Sequence, residues 1–372
     1  MKITRLETIH VRPRWLFLKV HTDAGIVGLG EPNLEGRALT VEMAVHELGR
    51  TLVGQDPRRI EHLWQLMYRG TFYRGGPILS SAISGIEQAL WDILGKSLGV
   101  PVYQLLGGAV RDRIRLYAWV KGEPNTDPFD SLKASIQSGG FTAYKMAPIG
   151  AARMIETPAA IDAIVAKVAT VREIAGRGVD LAVDFHGRAS PAMAKVLARL
   201  LEPYHPMFIE EPILPGDTQA LLELSRATTI PLATGERLFT RWQFQNLIQS
   251  QAVAVVQPDL SHVGGIFEAR KIAAMAEARN IAIAPHCPLG PIALAASLQL
   301  DACTPNFLCQ EHVTLGETYL KAPFVVEQGY VRVPDAPGLG IELDDDKVEA
   351  GRFAGDWGTP RFELEDGSFT EW

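Results

Sequence analysis

The chain has 372 residues, of which 47% are hydrophobic and 21% are charged, and its formal net charge is −7. This composition is typical of a globular protein and excludes a disordered or fibrous chain. The acidic balance argues against a nucleic-acid binder, although a local cation could still hold an anionic substrate. The chain has only three cysteines, which excludes a disulfide framework and favours a reducing compartment.

No targeting or membrane-spanning segment is predicted. The first 15 residues mix charges and lack an apolar core, so no signal peptide is visible. Residues 280–300 carry no formal charge, but they contain three prolines and predict a short strand, a turn and an amphipathic helix. We therefore expect a soluble cytoplasmic protein with neither a membrane nor a nucleic acid as a partner.

Taken in chain order, the first predicted domain is an α+β unit. Strands are predicted over 3–10, 16–22 and 26–30, with a turn at Asp23-Ala24-Gly25. Apolar residues at helical spacing then predict helices over 40–52, 58–68 and 82–95. Gly107-Gly108 ends this pattern, and we place the first domain at residues 1–110.

After this boundary, short apolar runs alternate with helical segments such as 161–174 and 265–279. The runs are long enough for strands and mostly lack alternation, as strands buried on both faces do. Eight repeats predict a TIM-type α/β barrel over 111–320. An open doubly wound sheet is the alternative, but no glycine-rich phosphate loop follows the first run. The eight runs are 114–120, 142–147, 181–186, 207–211, 231–236, 254–259, 281–286 and 307–311.

Three carboxylates occupy the same point of successive repeats. Asp184, Glu210 and Glu236 are each 26 positions apart. In a barrel they converge at the C-terminal mouth, where barrel active sites lie. One such acid would most simply pair with a nearby cation, but three in phase predict a site for a hard divalent metal. An all-oxygen ligand set favours Mg²⁺ over zinc.

Two histidines also end predicted strands beside carboxylates. His186 follows Asp184 by two residues and should share its strand face. His286 ends the seventh strand, and Asp259 ends the sixth. A carboxylate beside an imidazole fixes its tautomer and raises its basicity, which is typical of a general base. His262 also lies near a strand end, and its position alone does not exclude it.

The second strand carries Lys145 on the inward face. Its ammonium group could contact a substrate carboxylate, or it could be a charge at the edge of the barrel. The residues alone leave these alternatives open.

Five motifs carry a resemblance to a known family. The chain resembles the enolase superfamily, in its mandelate racemase-like branch, and the resemblance extends to the N-terminal and C-terminal segments. It implies an N-terminal capping domain over a modified (β/α)7β barrel, with residues 321–372 returning to the cap, and by analogy a homo-oligomer. The motifs are DFHGR at 184–188, IEEP at 209–212, TGER at 234–237, QPDLSHVGG at 257–265 and APHCPLGP at 284–291.

The same resemblance implies roles for individual residues. Asp184, Glu210 and Glu236 match the family's Mg²⁺ ligands. His286, oriented by Asp259, matches the base that removes the proton α to a carboxylate. His186 matches the acid of the branch's sugar acid dehydratases, and Glu311 matches the acid that stabilises the enolate. The resemblance therefore implies an active site formed by Asp184, Glu210, Glu236, His286, Asp259, His186 and Glu311.

One position departs from the family pattern. Racemases of the branch carry a second lysine two residues after the first, whereas this chain has Ala147 there. A two-base racemase needs a proton acceptor on each face of the α carbon, so the departure favours a dehydratase. Ala147 also differs from the asparagine of the dehydratases that the chain most resembles.

The predicted function is a Mg²⁺-dependent dehydratase that converts an aldonate, an acid sugar, to a 2-keto-3-deoxy acid. The alternatives are an epimerase or cycloisomerase of another acid sugar, and a non-catalytic relative. In the cap, Arg14, Tyr73 and Arg74 lie in turn-like segments. They could close over the sugar, or they could be surface residues.

Overall fold

The computed structural model describes residues 1–121 and 126–372, and its N-terminal part is an antiparallel sheet covered by helices. The predicted meander and its three helices are present. The third helix is longer than predicted, because it begins at Gly76-Pro77 and ends only at the left-handed Gly99. The elements are β1 (Ile3–Val11), β2 (Trp15–Thr22), β3 (Val27–Gly30), α1 (Ala38–Leu52), α2 (Ile60–Arg69), α3 (Gly76–Leu98) and α4 (Val102–Leu105).

The central part of the chain alternates strands with helices and forms a parallel sheet. Its strands are shorter than the predicted runs, since several keep ladder pairing over only two or three residues. The elements are β4 (Arg113–Trp119), α5 (Pro128–Gln137), β5 (Ala143–Met146), α6 (Pro158–Ala175), β6 (Asp180–Asp184), α7 (Pro191–Leu201), β7 (Phe208–Glu210), α8 (Thr218–Ser225), β8 (Leu232–Thr234), α9 (Arg241–Ser250), β9 (Val255–Val256), α10 (Ile266–Glu277), β10 (Ala282–Ile283), α11 (Pro291–Cys303) and β11 (Gln310–Glu311).

This parallel sheet closes on itself. The strands follow chain order from β4 to β10, and β11 pairs with β4. A parallel bridge between Ile283 and Phe307 then joins the segment before β11 to β10, and Leu308 N donates to Ile283 O at 2.8 Å. The fold is therefore a barrel rather than an open sheet, and its eighth strand is not followed by a barrel helix.

Local sequence sets where the barrel helices begin. Asp127, Thr157 and Ser190 each precede a proline at the start of a helix, and each side chain accepts a bond from a backbone N–H in the first turn. Helix α11 departs from prediction: it was expected to be amphipathic, but all 13 of its residues are buried. It packs against α4, α10 and β4 and therefore has no solvent face. Within the described ranges, no helix combines the length and apolar character that crossing a bilayer requires.

The segment after the barrel returns to the N-terminal part. It contains β12 (Tyr330–Arg332), which pairs antiparallel with β4, and α12 (Asp345–Ala350). Beyond α12, Arg352 forms an antiparallel bridge with Val11. Gly338 O accepts a bond from Val102 N at 3.0 Å. These contacts support the division into residues 1–110, 111–320 and 321–372, which remains a prediction.

Candidate active site

Three strand-end carboxylates meet at the mouth of the barrel. One oxygen from each of Asp184, Glu210 and Glu236 lies within 4.8 Å of the others. The register of β6 and β7 sets Asp184 beside Glu210. Among the residues that the structure describes, Asp184 Oδ2, Glu210 Oε2 and Glu236 Oε2 have no hydrogen-bond partner. Buried carboxylate oxygens without partners are costly, and oxygens of this kind are the ligands of hard divalent cations. The residues therefore fit a divalent metal.

A tight backbone approach at the end of β8 positions Glu236. Gly235 has a φ of 143°. A Cβ at this glycine would lie 2.8 Å from Phe244 Cε1 and 2.9 Å from Gln257 N, so a larger residue would push β8 away from its neighbours. Glycine is therefore needed for the strand end that carries Glu236.

The electrostatics of this cluster also fit a cation. Burial, with the charge of Asp184, raises the pKa of Glu210 well above its usual range. Burial and nearby Glu211 raise the pKa of Glu236 to about 8. Carboxylates that share a desolvated site resist ionisation together, and a bound dication would remove that penalty.

Lys145 contacts two of the three acids, Asp184 and Glu210, and also Glu311. Its side chain is fully buried, and Nζ lies 2.6 Å from Glu210 Oε1, 3.0 Å from Glu311 Oε1 and 3.4 Å from Asp184 Oδ2. Burial lowers its pKa, but the carboxylates of Glu210 and Glu311 outweigh burial and raise the pKa well above the usual range. Lys145 is thus a buried counter-charge for the acid cluster, and it does not line the cavity described below.

His286 forms a pair with Asp259. Its Nδ1 lies 2.8 Å from Asp259 Oδ2, and its Nε2 faces Glu236 Oε2 at 3.5 Å and Glu311 Oε2 at 3.8 Å. Burial lowers the pKa of His286, but Glu236, Glu311 and Asp259 outweigh it and raise the pKa well above the usual range. The hydrogen bond to Asp259 orients the His286 ring so that Nε2 is directed at Glu236 and Glu311.

His186 reaches the acids in a different way from that predicted. Strand β6 ends at Asp184, so strand alternation does not extend to His186. The backbone at His186 instead takes a left-handed φ of 50°, and its Nε2 still comes within 3.2 Å of Asp184 Oδ2. Burial lowers the pKa of His186 to about 4, against the opposing charge of Asp184. The two histidines therefore contact different acids of the cluster, His186 beside Asp184 and His286 beside Glu236.

Glu311 ends β11 and accepts three bonds. Lys145 Nζ lies 3.0 Å and Trp119 Nε1 2.9 Å from Oε1, and Cys287 N donates to Oε2 at 3.0 Å. Burial raises the pKa of Glu311, but Lys145 and His286 outweigh burial and lower the pKa to about 2. In this arrangement Glu311 is an ionised carboxylate.

His262 is a second imidazole near Asp259. Its Nε2 lies 3.6 Å from Asp259 Oδ2, and its Nδ1 lies 2.9 Å from Ser81 Oγ on helix α3. Ser81 Oγ already donates to Pro77 O at 2.7 Å, so it accepts the His262 Nδ1 proton. The N-terminal part thus contacts His262, which lies beside Asp259, the partner of His286.

A cavity of about 440 Å³ adjoins these groups, and its lining includes His186, His262, His286, Glu236 and Glu311. Arg14, one of three residues expected to cover it, lines the cavity, and Arg14 Nη2 donates to Pro288 O at 3.0 Å. The structure does not bring Tyr73 or Arg74 to this cavity. Tyr73 is 82% exposed, and the Arg74 guanidinium lies over the Tyr68 ring at 5.9 Å.

Two family models match most of the chain. The mandelate racemase / muconate lactonizing enzyme N-terminal domain matches residues 4–107, and the enolase C-terminal domain-like model matches residues 130–347. The chain belongs to the enolase superfamily. Members of this superfamily bind a divalent metal, in agreement with the acid cluster.

Full-length relatives show which members of the superfamily the chain resembles. The chain is 53% identical to D-galactonate dehydratase of Ralstonia nicotianae and 51% identical to that of Klebsiella pneumoniae. Both alignments cover 100% of this chain and 100% of the relative. Among solved structures, it resembles an enolase from Agrobacterium radiobacter with bound Na and L-malate, at 32% identity, 100% coverage of both chains and a TM-score of 0.92. The predicted resemblance to the mandelate racemase-like branch is confirmed.

Two tryptophans at this enolase-superfamily site were not predicted from sequence. Trp119 donates to Glu311 and stacks on the His186 ring, with centroids 6.1 Å apart and an angle of 9°. Trp372 lines the cavity and meets the same ring edge to face at 5.7 Å and 77°. Trp119 ends strand β4, so its strand-end position was an available signal. Trp372 lies outside the barrel, and its approach to the site depends on tertiary contacts.

Proposed function

We propose that the protein is a Mg²⁺-dependent D-galactonate dehydratase, a hydro-lyase that converts the aldonate to its 2-keto-3-deoxy acid and water. The observation that carries the proposal is the placement of two histidines in one cavity beside different members of one acid cluster, His286 beside Glu236 and His186 beside Asp184. The choice of sugar rests on the full-length relatives at 51–53% identity. The choice of Mg²⁺ rests on the all-oxygen ligand set of Asp184, Glu210 and Glu236.

The reaction is a β-elimination that needs one base and one acid. The C2 proton passes to His286 Nε2, the C2–H electron pair forms the C2=C3 bond, and the C3–O bond breaks. The departing hydroxyl takes a proton from His186 and leaves as water. The resulting enol then tautomerises to the 2-keto-3-deoxy acid. A Mg²⁺ ion bound by the three acids would supply Lewis-acid stabilisation of the charge that develops on the substrate carboxylate.

The base role of His286 follows from its hydrogen bonds. If Nδ1 carries the proton donated to Asp259, the lone pair of Nε2 faces the cavity and can accept the C2 proton. The neighbouring carboxylates hold the pKa of His286 high, which strengthens it as a proton acceptor once it is neutral. Among the nearby charges, Glu236 raises the pKa of His286 most. A cation bound to the acid cluster would offset the charge of Glu236 and so lower the pKa of His286.

The acid role of His186 requires a proton at neutral pH, whereas burial holds its pKa at about 4. Substrate binding opposes this effect, since an anionic carboxylate beside an imidazole raises the pKa of the imidazole. Glu311 is subject to the same influence. Lys145 and His286 hold the pKa of Glu311 at about 2, so the negative charge of a bound substrate would have to raise that pKa before Glu311 could donate a proton to an enolate oxygen.

The position of Lys145 weighs against the epimerase or racemase alternative. The only inward lysine of β5 is held by Glu210 and Glu311 and does not line the cavity, within the described ranges. The next candidate position is Ala147, which has no titratable group. A proton acceptor on a second face of C2 would have to come from His186, which dehydration uses as the acid.

A direct assay tests the proposal. Purified protein loaded with Mg²⁺ is incubated with D-galactonate and with its C2, C3 and C4 epimers, and products are scored for loss of water and for a 2-keto group. We expect a 2-keto-3-deoxy product from D-galactonate that disappears on chelation and returns when Mg²⁺ is restored. An isomer of unchanged mass would establish the epimerase alternative instead. Acid sugars remain the proposed class of partner, and homo-oligomerisation remains a prediction.

A further inference from the structure

His186 lacks the hydrogen bond that fixes most functional histidines. His286 is held by Asp259 at Nδ1, but His186 Nδ1 is buried and has no hydrogen-bond partner in residues 1–121 or 126–372. Its Nε2 contact with Asp184 uses the edge of the ring that faces the acids. The remaining constraints on this imidazole are therefore ring contacts with its neighbours.

Two indoles supply these contacts from different parts of the chain. Trp119, at the end of β4, lies parallel to the imidazole at 6.1 Å. Trp372 meets it edge to face at 5.7 Å. Aromatic pairs prefer these two geometries, and such contacts stabilise the pair beyond the area they bury. An imidazole with both contacts can rotate only if one indole moves.

The segment that carries Trp372 is itself anchored to both ends of the site. At the cap, Phe353 N donates to His10 O at 3.2 Å, and the Arg14 guanidinium lies 4.9 Å from the Trp357 ring centroid. Thr359 then lines the cavity. The segment from 352 to 372 therefore passes from the cap across the cavity before it reaches His186.

The end near His186 is a small hairpin clamped by Arg188. Thr370 N donates to Phe362 O at 2.9 Å, and Glu363 and Phe369 form an antiparallel bridge. The Arg188 guanidinium lies 4.3 Å from the Phe362 ring centroid and 5.8 Å from that of Trp372. Because Arg188 follows His186 by two residues, the loop after β6 holds the same hairpin that covers its own histidine.

We propose that Trp372 is a positioning residue for the proton donor His186 and a wall of the substrate cavity that determines which aldonates are accepted. The positioning role rests on the proposed function. The edge-to-face contact of the indole with the imidazole fixes the direction in which His186 Nε2 presents its proton. The indole also lines the cavity, where it faces the space available to the hydroxyl-bearing carbons of the substrate. A side chain placed there excludes sugars whose hydroxyl groups would be buried against it without a partner.

The first test is independent of catalysis and uses the full-length chain. Diethyl pyrocarbonate acylates accessible neutral imidazoles, and peptide mass mapping gives its rate at each histidine. We expect Trp372→Ala to increase the rate at His186 relative to that at His286 in the same sample. Trp372→Phe should restore protection, and Phe369→Ala is the matched control, since Phe369 lies in the same hairpin but is 69% exposed. Equal rates at His186 in wild type and Trp372→Ala would overturn the placement of the indole.

The second test separates positioning from general damage. In D₂O, exchange of the C2 proton reports on His286, and loss of water reports on His186. Trp372→Ala should lower the rate of dehydration by on the order of 10- to 100-fold, the size of effect expected from a small misplacement. Exchange at C2 should change by no more than about twofold, because His186, the misplaced acid, does not take part in that step. Equal losses in both rates would overturn the positioning role.

The third test addresses the wall. The ratio of kcat/KM for D-galactonate to that for its C4 epimer should fall in Trp372→Ala and stay unchanged in Phe369→Ala. An unchanged ratio in Trp372→Ala would overturn the specificity role. If wild-type protein dehydrates no aldonate at all, the proposed function fails, while the acylation experiment still decides whether Trp372 covers His186.

Discussion

The floor and the cover of the active-site cavity are built in different ways. We call Asp184, Glu210, Glu236, Lys145 and Glu311 the floor, and Arg14, Glu35, Thr359 and Trp372 the cover. Four of the floor residues end strands or lie within them, and Glu236 follows β8 by two residues. Lys145 and Glu210 are fully buried beside each other. The cover residues lie outside the barrel strands and are held by side-chain contacts between distant segments, such as the ion pair of Arg14 with Glu35 at 3.5 Å and the ring contact of Trp372 with His186.

This difference suggests separate roles for the two regions: the floor holds the proposed reacting groups, and the cover selects the sugar. Floor residues are fixed by ladder register and by neighbours on adjacent strands, so the reacting groups keep a common geometry. Cover residues come from two segments distant in sequence that meet only in the folded chain. Substitutions in the cover can therefore change the accepted sugar while the metal acids and the base remain in place.

The largest expected effect is the loss of His286, the proposed base. His286→Asn should lower both C2 exchange and dehydration by about 10²- to 10⁴-fold, since general-base catalysis contributes that much. The measurement is deuterium in recovered substrate together with product formation. His205→Asn is a suitable control, because His205 lies after α7, outside the cavity. C2 exchange at the wild-type rate in His286→Asn would show that another group is the base.

The floor should also lose its metal when one acid is neutralised. Glu236→Gln should weaken Mg²⁺ binding by more than about 100-fold, because loss of outer partners of metal ligands alone costs 10- to 100-fold. Calorimetric titration with Mg²⁺ measures this directly. Glu223→Gln is the matched control, since Glu223 lies in a surface ion pair with Lys195. Unchanged affinity in Glu236→Gln, or full activity after exhaustive chelation, would remove Glu236 from the metal site.

A smaller and more selective effect is expected at the boundary between floor and cover. His186→Asn should abolish most dehydration, because the C3 hydroxyl loses its proton donor. It should leave part of the C2 exchange, since His286 and Asp259 are untouched. NMR of substrate recovered from D₂O measures both. If dehydration continues at the wild-type rate, another group is the acid, and the buried Lys145 is the next to substitute.

The sequence predicted the floor better than the cover, because strand order places the floor residues and tertiary contacts place the cover residues. The 26-residue phase of the three acids reflects one repeat of strand and helix, so barrel geometry alone places them together. Arg14 was also predicted to reach the cavity, but Tyr73 and Arg74 lie in an exposed loop that does not contact it. No periodicity links Trp372 to His186, because their contact depends on a chain crossing that only the folded structure specifies.

The last expected effect is on stability rather than activity, and it concerns the docking of the N-terminal part onto the barrel. Glu87, on α3, is buried, and it accepts bonds from Ile266 N at 2.7 Å, Phe267 N at 2.9 Å and Trp91 Nε1 at 2.7 Å. Burial raises the pKa of Glu87 to about 8, despite these donors, from a usual value of 4.5. The native state therefore retains a proton that the unfolded state has lost between these two pH values.

Stability contributed by this group should accordingly be present below about pH 4.5 and decline as pH rises towards 8, by at most about 1.4 kcal/mol per pH unit. Glu87→Gln cannot titrate, so the unfolding free energy of wild type relative to the variant should fall across that range. Urea unfolding at pH 5, 6, 7 and 8 measures the difference, and Glu61→Gln, a surface change on α2, is the control. A difference between wild type and Glu87→Gln that does not vary with pH would mean that Glu87 has the same charge in both states, and that its N–H donors rather than a retained proton hold α3 against the barrel.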